Sequence, residues 1–292
     1  MNGSTPIAWP LRAWFAVELF FAVAASLSVG FDPADSRRNF AWTIQPAVMA
    51  ALFGAFYLAL LPVMVLLLRV RQWELARVFV LPGMAFTAAQ LIVTLLHWER
   101  FAVGTGPFNI WFASYLLPPP VFAACWVWQQ RRAAPSLPPE APLARWQRWG
   151  LLLLGTLFTL EALIGLVSPA WFAADAPWKI SPLNARALAG YFLLLGLLML
   201  SMAHENHLDR VRVVSPFLVL LLPLAAWQLS RFQAQVNWGH PRVAMSTVLL
   251  TAVAGLGLRL LRGSWPLLWR AAGPAPTGIE RLPPLPPRAA VP

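Results

Sequence analysis

Eight stretches of this chain run for about 20 residues with almost no charge, and no other feature restricts the fold as much. They lie at about 12–31, 46–68, 78–98, 108–128, 149–169, 184–203, 213–230 and 243–260. A helix crosses the hydrocarbon core of a bilayer with about 20 mostly apolar residues. The reading is therefore all-α: a polytopic integral membrane protein with eight transmembrane helices. The first run contains the small-residue stretch "FAVAASLSVG". It is long for a signal sequence and belongs to a repeat described below, so it is read as a retained span. Charged residues make up 11% of the chain, against roughly 25% in soluble domains, which places most of its surface in lipid.

The net charge of +11 would suggest nucleic acid in a soluble protein. Here the arginines sit in short loops beside apolar runs, where phospholipid headgroups account for them, and no nucleic acid is expected. Lys179 is the single lysine, and the chain holds 28 prolines; this bias is that of a GC-rich bacterial genome. Fifteen of the 22 cations fall on one side of the spans, in the N-terminal segment, the 2–3, 4–5 and 6–7 loops and the tail, and seven on the other. By the positive-inside rule both termini face the cytoplasm, in the inner membrane. Trp42, Trp98, Trp178 and Trp238 then fall at the outer boundary, where amphipathic rings settle.

Residues 42–56, "WTIQPAVMAALFGAF", return at 178–192 as "WKISPLNARALAGYF". Seven positions are identical, from Trp42/Trp178 to Phe56/Phe192. At the same offset of 136, Arg12 meets Arg148, Leu27 meets Leu163 and Pro33 meets Pro169. Glu74 and Arg77 meet Asp209 and Arg212 at offset 135, and "RF" at 100–101 answers "RF" at 231–232 if four more residues are dropped. The expected organisation is two parallel four-helix repeats, 1–132 and 148–262, related by an axis along the membrane normal. A Pro-rich cytoplasmic linker, 133–147, joins them, and a disordered Pro-rich tail, 263–292, follows. Ala51 with Gly54, and Ala187 with Gly190, give each copy a small-residue face for close helix contact.

At "WKISPLNAR" the chain resembles uncharacterised multi-pass membrane proteins of GC-rich bacteria that carry W-x-[IL]-x-P-L-x-A-R. These often also carry a stretch like Leu95-Leu96-His97-Trp98-Glu99-Arg100-Phe101. The first copy departs from the pattern, with Ala50 where the second has Arg186. The resemblance implies a membrane fold and no particular activity.

Two acids lie inside predicted spans, Glu18 and Glu161, and intramembrane ionisable groups raise a functional hypothesis by default. The repeat does not equate them: Glu18 matches Leu154, and Glu161 matches Ala25. They are displaced by seven residues, about two turns and roughly 10 Å, on nearly the same helix face. Lining the interface between halves, they would form two stations of a proton or cation route. The plainer alternative leaves Glu18 protonated or snorkelling inward and pairs Glu161 with Arg186, itself able to snorkel to phosphate. Gln90 and Asn184 are polar groups able to join that route or simply to glue helices. Prolines at 118–120 are expected to interrupt the fourth span, and Pro82, Pro216 and Pro223 to disturb the third and seventh, freeing carbonyls that can line a site.

His97 and His240, both near the outer boundary, are one pair suited to haem or a metal ion, without supporting spacing, and His204 with His207, at i, i+3, is a second pair able to hold a metal. His204 and His207 flank Glu205 in what reads as a solvated loop. The single cysteine, Cys125, excludes an internal disulfide and cysteine metal clusters. No phosphate loop or nucleophilic triad is present, so an enzyme is not the favoured reading and no cofactor is expected. Three functions stand: translocation of a small solute or ion between the repeats, a scaffold docking another membrane protein or a second copy, and a haem- or quinone-linked redox subunit.

Overall fold

The computed structural model describes residues 5–133 and 141–262. The tail at 263–292 and the centre of the linker lie outside the described residues. Among those described, the chain is all-helical, with eight helices long and apolar enough to cross a bilayer. They are α1 (Trp9–Phe31), α2 (Ala47–Arg69), α3 (Trp73–Leu96), α4 (Gly106–Arg132), α5 (Arg145–Val167), α6 (Pro182–Glu205), α7 (Leu208–Arg231) and α8 (Pro241–Leu261). At 21 to 27 residues each, they are as long as a bilayer requires. The chain is thus a multi-pass membrane protein.

The helices outrun the apolar stretches where polar groups find partners. α3 begins at Trp73 rather than near 78 because Glu74, at its first turn, accepts the backbone N–H of Thr5 at 3.1 Å. α4 is interrupted at Leu117. Pro118, Pro119 and Pro120 carry no N–H, so the carbonyls of Ser114, Tyr115 and Leu116 lose their helical donors. α7 breaks at Val213 and Val214, ahead of Pro216, whereas Pro82 and Pro223 sit inside continuous helix, as does Pro62 in α2. The end of α1 widens into a π turn at Ser26–Phe31.

Packing follows close approaches of small residues. α1 lies on α2 because Gly54 has no Cβ: a methyl there would stand 2.5 Å from the Val29 carbonyl oxygen. α5 lies on α6 for the same reason, since a Cβ on Gly196 would be 2.7 Å from the Thr159 nitrogen. α3 packs on α4, and α7 on α8; across the molecule α2 packs on α7 and α3 on α6. The four central helices, α2, α3, α6 and α7, are therefore the most buried, and the outer four face lipid.

Element boundaries recur at the sequence offsets. α1 and α5 begin 136 residues apart and end 136 apart; α4 and α8 begin 135 apart. Single 3-10 turns at Trp98–Arg100 and Gln233–Gln235 are also 135 apart. This corrects the match of "RF" at 100–101 with 231–232. Arg100 belongs to the turn after α3, whereas Arg231 is the last residue of α7.

Three hydrogen bonds recur in the same way. Trp73 N donates to Thr5 O (2.8 Å) as Leu208 N does to Ala141 O (2.9 Å). Ala102 N donates to Ala41 O (2.8 Å) as Asn237 N does to Pro177 O (2.9 Å). Arg12 Nε donates to Leu68 O (3.1 Å) as Arg148 Nε does to Ala203 O (3.2 Å).

Candidate functional site

Helices α1 to α4 enclose a cavity of about 280 Å³. Its lining runs from Gly106 and Ile110, exposed at the start of α4, down to Phe79, Phe122 and Glu18. Glu18 stands nine residues into α1, about 14 Å along it at 1.5 Å per residue. One carboxyl oxygen, Oε1, is fully enclosed and has no hydrogen-bond partner. Trp14, one turn earlier, brings its indole N–H toward the carboxyl without reaching hydrogen-bond geometry. No Lys, Arg or His lines this cavity. An unpaired charge in such a wall is costly, so the carboxyl is the group there that most demands a partner.

The same cavity wall carries hydroxyls. Tyr57 on α2 and Tyr115 on α4 are both buried and share a 2.7 Å hydrogen bond. The chain has three tyrosines, and the third, Tyr191 on α6, joins them, its ring 5.5 Å from that of Tyr57. The Tyr191 hydroxyl is buried without a partner. The Trp111 ring lies 4.3 Å from that of Tyr115, tilted at 57°, and its Nε1 donates to Thr94 at 2.9 Å.

Glu161 is elsewhere. It lines a second cavity, of about 250 Å³, between α5, α7 and α8, with contributions from α2 and α6. The route shared by Glu18 and Glu161 is not assembled: each acid has its own cavity. Nor does Glu161 pair with Arg186. Its partner is Arg242, in the first turn of α8, which also reaches Asp175 at 3.1 Å and lies over the ring of Phe172 at 5.7 Å. Glu161 faces α8 rather than α6, which is why the expected pair fails.

Arg186 instead serves a helix end. Its Nε donates to the Leu166 carbonyl at 2.9 Å, one of the last carbonyls of α5 and so without a helical donor. Its NH1 meets His97 Nε2 at 2.9 Å. At the sequence offset of 136 Leu166 corresponds to Gly30, whose carbonyl accepts from Gln228 Nε2 (2.7 Å) and Arg231 NH1 (2.8 Å). Both carbonyls are thus capped by an arginine, supplied from α6 for Leu166 and from α7 for Gly30. This explains how Ala50 stands where Arg186 would be expected.

The other polar candidates act as glue. Asn184 accepts the Trp42 indole N–H at 3.0 Å and donates to Gln45 O at 3.1 Å. Gln90 donates to Ala187 O at 3.0 Å and packs on Gly190, leaving its own Oε1 unpartnered. The small faces of Ala51–Gly54 and Ala187–Gly190 are consumed in these internal contacts, because Gly54 meets Gly30 and Gly190 meets Gln90. Pro118, Pro119 and Pro120 line neither cavity, but Ser114 and Tyr115, whose carbonyls they leave without helical donors, line the first.

The two histidines expected at the outer boundary are each engaged. His97 faces Arg186; burial first, then the Arg186 charge, pushes its pKa below the usual 6.5. His240 caps α8, its Nδ1 accepting from Arg242 N at 3.2 Å. Neither lines either of these two cavities, and among the described residues no three His, Cys, Asp or Glu side chains cluster as metal ligands. His204 and His207 flank Glu205, whose carboxylate binds Arg77 and Arg210 rather than a loop solvent shell.

Two groups escaped the reading of the sequence. Arg242 looked like a boundary arginine, and nothing local signals that it turns inward. The tyrosines did offer a signal: all three of the chain fall inside predicted spans. Comparison with known protein families, with curated proteins and with solved structures finds no match, so the chemistry of the site rests on its own residues.

Proposed function

We propose that this is a duplicated inner-membrane protein whose first half binds a small, mostly apolar solute at Glu18, within the bilayer. The duplication is supported by the recurring helix ends and the three recurring hydrogen bonds at offsets of 135 and 136. The pairing of helices supports it too. Exchanging α1–α4 with α5–α8 turns the α2–α7 contact into the α6–α3 contact, and both exist. Each half then begins and ends in the cytoplasm, and the cavity of the first half opens toward the outer boundary.

The observation that carries the binding role is the enclosed, unpartnered carboxyl oxygen of Glu18 in the wall of an open, aromatic cavity. A binding pocket is mainly apolar with a few convergent polar groups, and the Tyr57–Tyr115 pair supplies the rest. Binding of this kind is the loading step that translocation requires. A route running between the halves lacks such support, because Phe53, Phe56, Tyr191 and Phe192 fill that space.

A hydrophobic carbodiimide tests this reading. It travels in the membrane and adds to accessible carboxyl groups, forming an acylurea detectable by peptide mass spectrometry. Glu18 should be modified in the folded protein, whereas Glu161, held by Arg242, should be spared. A Glu18 that reacts only after unfolding would mean that no solute reaches the cavity, and the reading would fall.

A further inference from the structure

We infer that the ligand of the Glu18 cavity is a lipophilic organic cation, a protonated amine or a quaternary ammonium. This rests on the first-half cavity being a binding site, as proposed above. The chemistry comes from comparing the two cavities, which occupy equivalent places in the two halves. At the sequence offsets, Ala22 matches Phe158, Ala25 matches Glu161 and Tyr115 matches Leu250, and all six line one cavity or the other.

The second cavity solves its own charge problem. Arg242 stands between Glu161 and Asp175 and lies over the Phe172 ring, so the protein supplies both the cation and the aromatic face that receives it. The equivalent of Arg242 in the first half is Pro107, which also lines its cavity and carries no charge. The equivalent of Asp175 is Asn39, again in the lining and again neutral. What remains in the first cavity is one carboxyl group with an enclosed, unpartnered oxygen and no basic side chain.

The rest of the wall suits a cation. Phe21, Phe79, Phe86, Trp111 and Phe122 line the space around Glu18, and aromatic faces attract ammonium groups, most strongly where water is excluded. A neutral hydrocarbon would fill the volume and leave the carboxyl unsatisfied, and an anion would be repelled. At about 280 Å³ the cavity is at the small end of ligand pockets. Glu18 lies about 14 Å from one end of α1 and about 20 Å from the other at 1.5 Å per residue. That is too deep for a lipid headgroup on either side, so the cation is a free solute.

Binding of radiolabelled benzyltrimethylammonium to the full chain in phosphatidylglycerol nanodiscs tests the assignment, with neopentylbenzene, its neutral isostere, as competitor. The cation should bind at least about tenfold more tightly than the isostere, the scale of one desolvated charge contact. Glu18→Gln should abolish that preference. Phe21→Leu, which keeps the carboxyl, should weaken the cation roughly three- to tenfold and leave the isostere unchanged. Affinity should be the same in nanodiscs containing phosphatidylcholine. Equal affinity for cation and isostere would overturn the cation assignment and leave the solute-binding reading standing. Competition by choline lipid would move the ligand to a headgroup and overturn the free solute. A Glu18 that resists carbodiimide in the folded protein would remove the underlying site instead.

Discussion

Glu205 ends α6 in an unfavourable place, since a carboxylate at a helix C-terminus opposes the helix dipole. Asn206 follows in the left-handed region, at φ 46°, and stops the helix there. What offsets the placement is a pair of arginines. Arg77 of α3 donates from Nε at 2.6 Å and from NH2 at 2.7 Å, and Arg210 donates at 2.9 Å. The side chains are 7% exposed for Glu205, 16% for Arg77 and 14% for Arg210, so the cluster is largely withdrawn from water and ties α3 to α6. Glu205→Gln keeps the shape and removes the charge, leaving two guanidinium groups facing each other. Breaking one member out of a buried ion pair costs about 3–5 kcal/mol. The residual exposure of both arginines lets water compensate in part, so a loss of about 3 kcal/mol is expected. Equilibrium unfolding by SDS titration in mixed micelles measures it. Asp35→Asn is the control, because the Asp35–Arg38 pair is 3.8 Å apart and its side chains are 44% and 85% exposed; it should change stability by less than ~0.5 kcal/mol. A double-mutant cycle of Arg77→Met with Glu205→Met isolates the pair itself. A Glu205→Gln protein within about 1 kcal/mol of the parent, or a coupling below ~0.5 kcal/mol, would refute the assigned role.

Other consequences distinguish positions matched by the sequence offset. Gly54→Ala should cost about 1–3 kcal/mol, because its Cβ would meet the backbone of Val29 and Gly30. Gly190→Ala should cost under ~1 kcal/mol, because the new Cβ, 2.8 Å from Gln90 Nε2, meets the end of a flexible side chain; equal losses in the same unfolding assay would contradict the packing described. Asn184→Ala strands the buried Trp42 indole N–H and should destabilise by about 1–3 kcal/mol, with a shift in tryptophan emission as Trp42 repacks. His97, with Arg186, Glu99 and Arg100 around it, has a folded pKa below 6.5. The unfolded chain therefore takes up the proton first, and stability that is intact above about pH 6.5 should fall as pH drops through the unfolded and then the folded value. His97→Gln should flatten that slope between pH 7 and 5, and an unchanged slope would show that His97 is not its source.

The number and type of elements were legible because span length and the absence of charge are local properties. Each of the eight runs appears as a helix within a few residues of its expected position. The Trp–Pro phrase was legible for a similar reason: like segments start like helices, and α2 and α6 begin within a residue of the same offset. Partners were another matter. Glu161 and Arg186 stood a short distance apart in sequence and looked made for each other, yet they serve α8 and the end of α5 respectively. Ala50 looked like a lost arginine, although the carbonyl in question is capped by Arg231 from 201 residues away.

The sequence alone therefore determined that eight helices lie in lipid and which of their residues are expensive to bury, since transfer from water depends on composition and length. Only the tertiary structure decided that Glu18 is left without a cation while Glu161 receives one, and that three tyrosines distant in sequence pack together. Those facts depend on which faces of distant helices touch. Within lipid that choice comes from close packing of small side chains rather than from hydrophobicity, which is nearly uniform along every span.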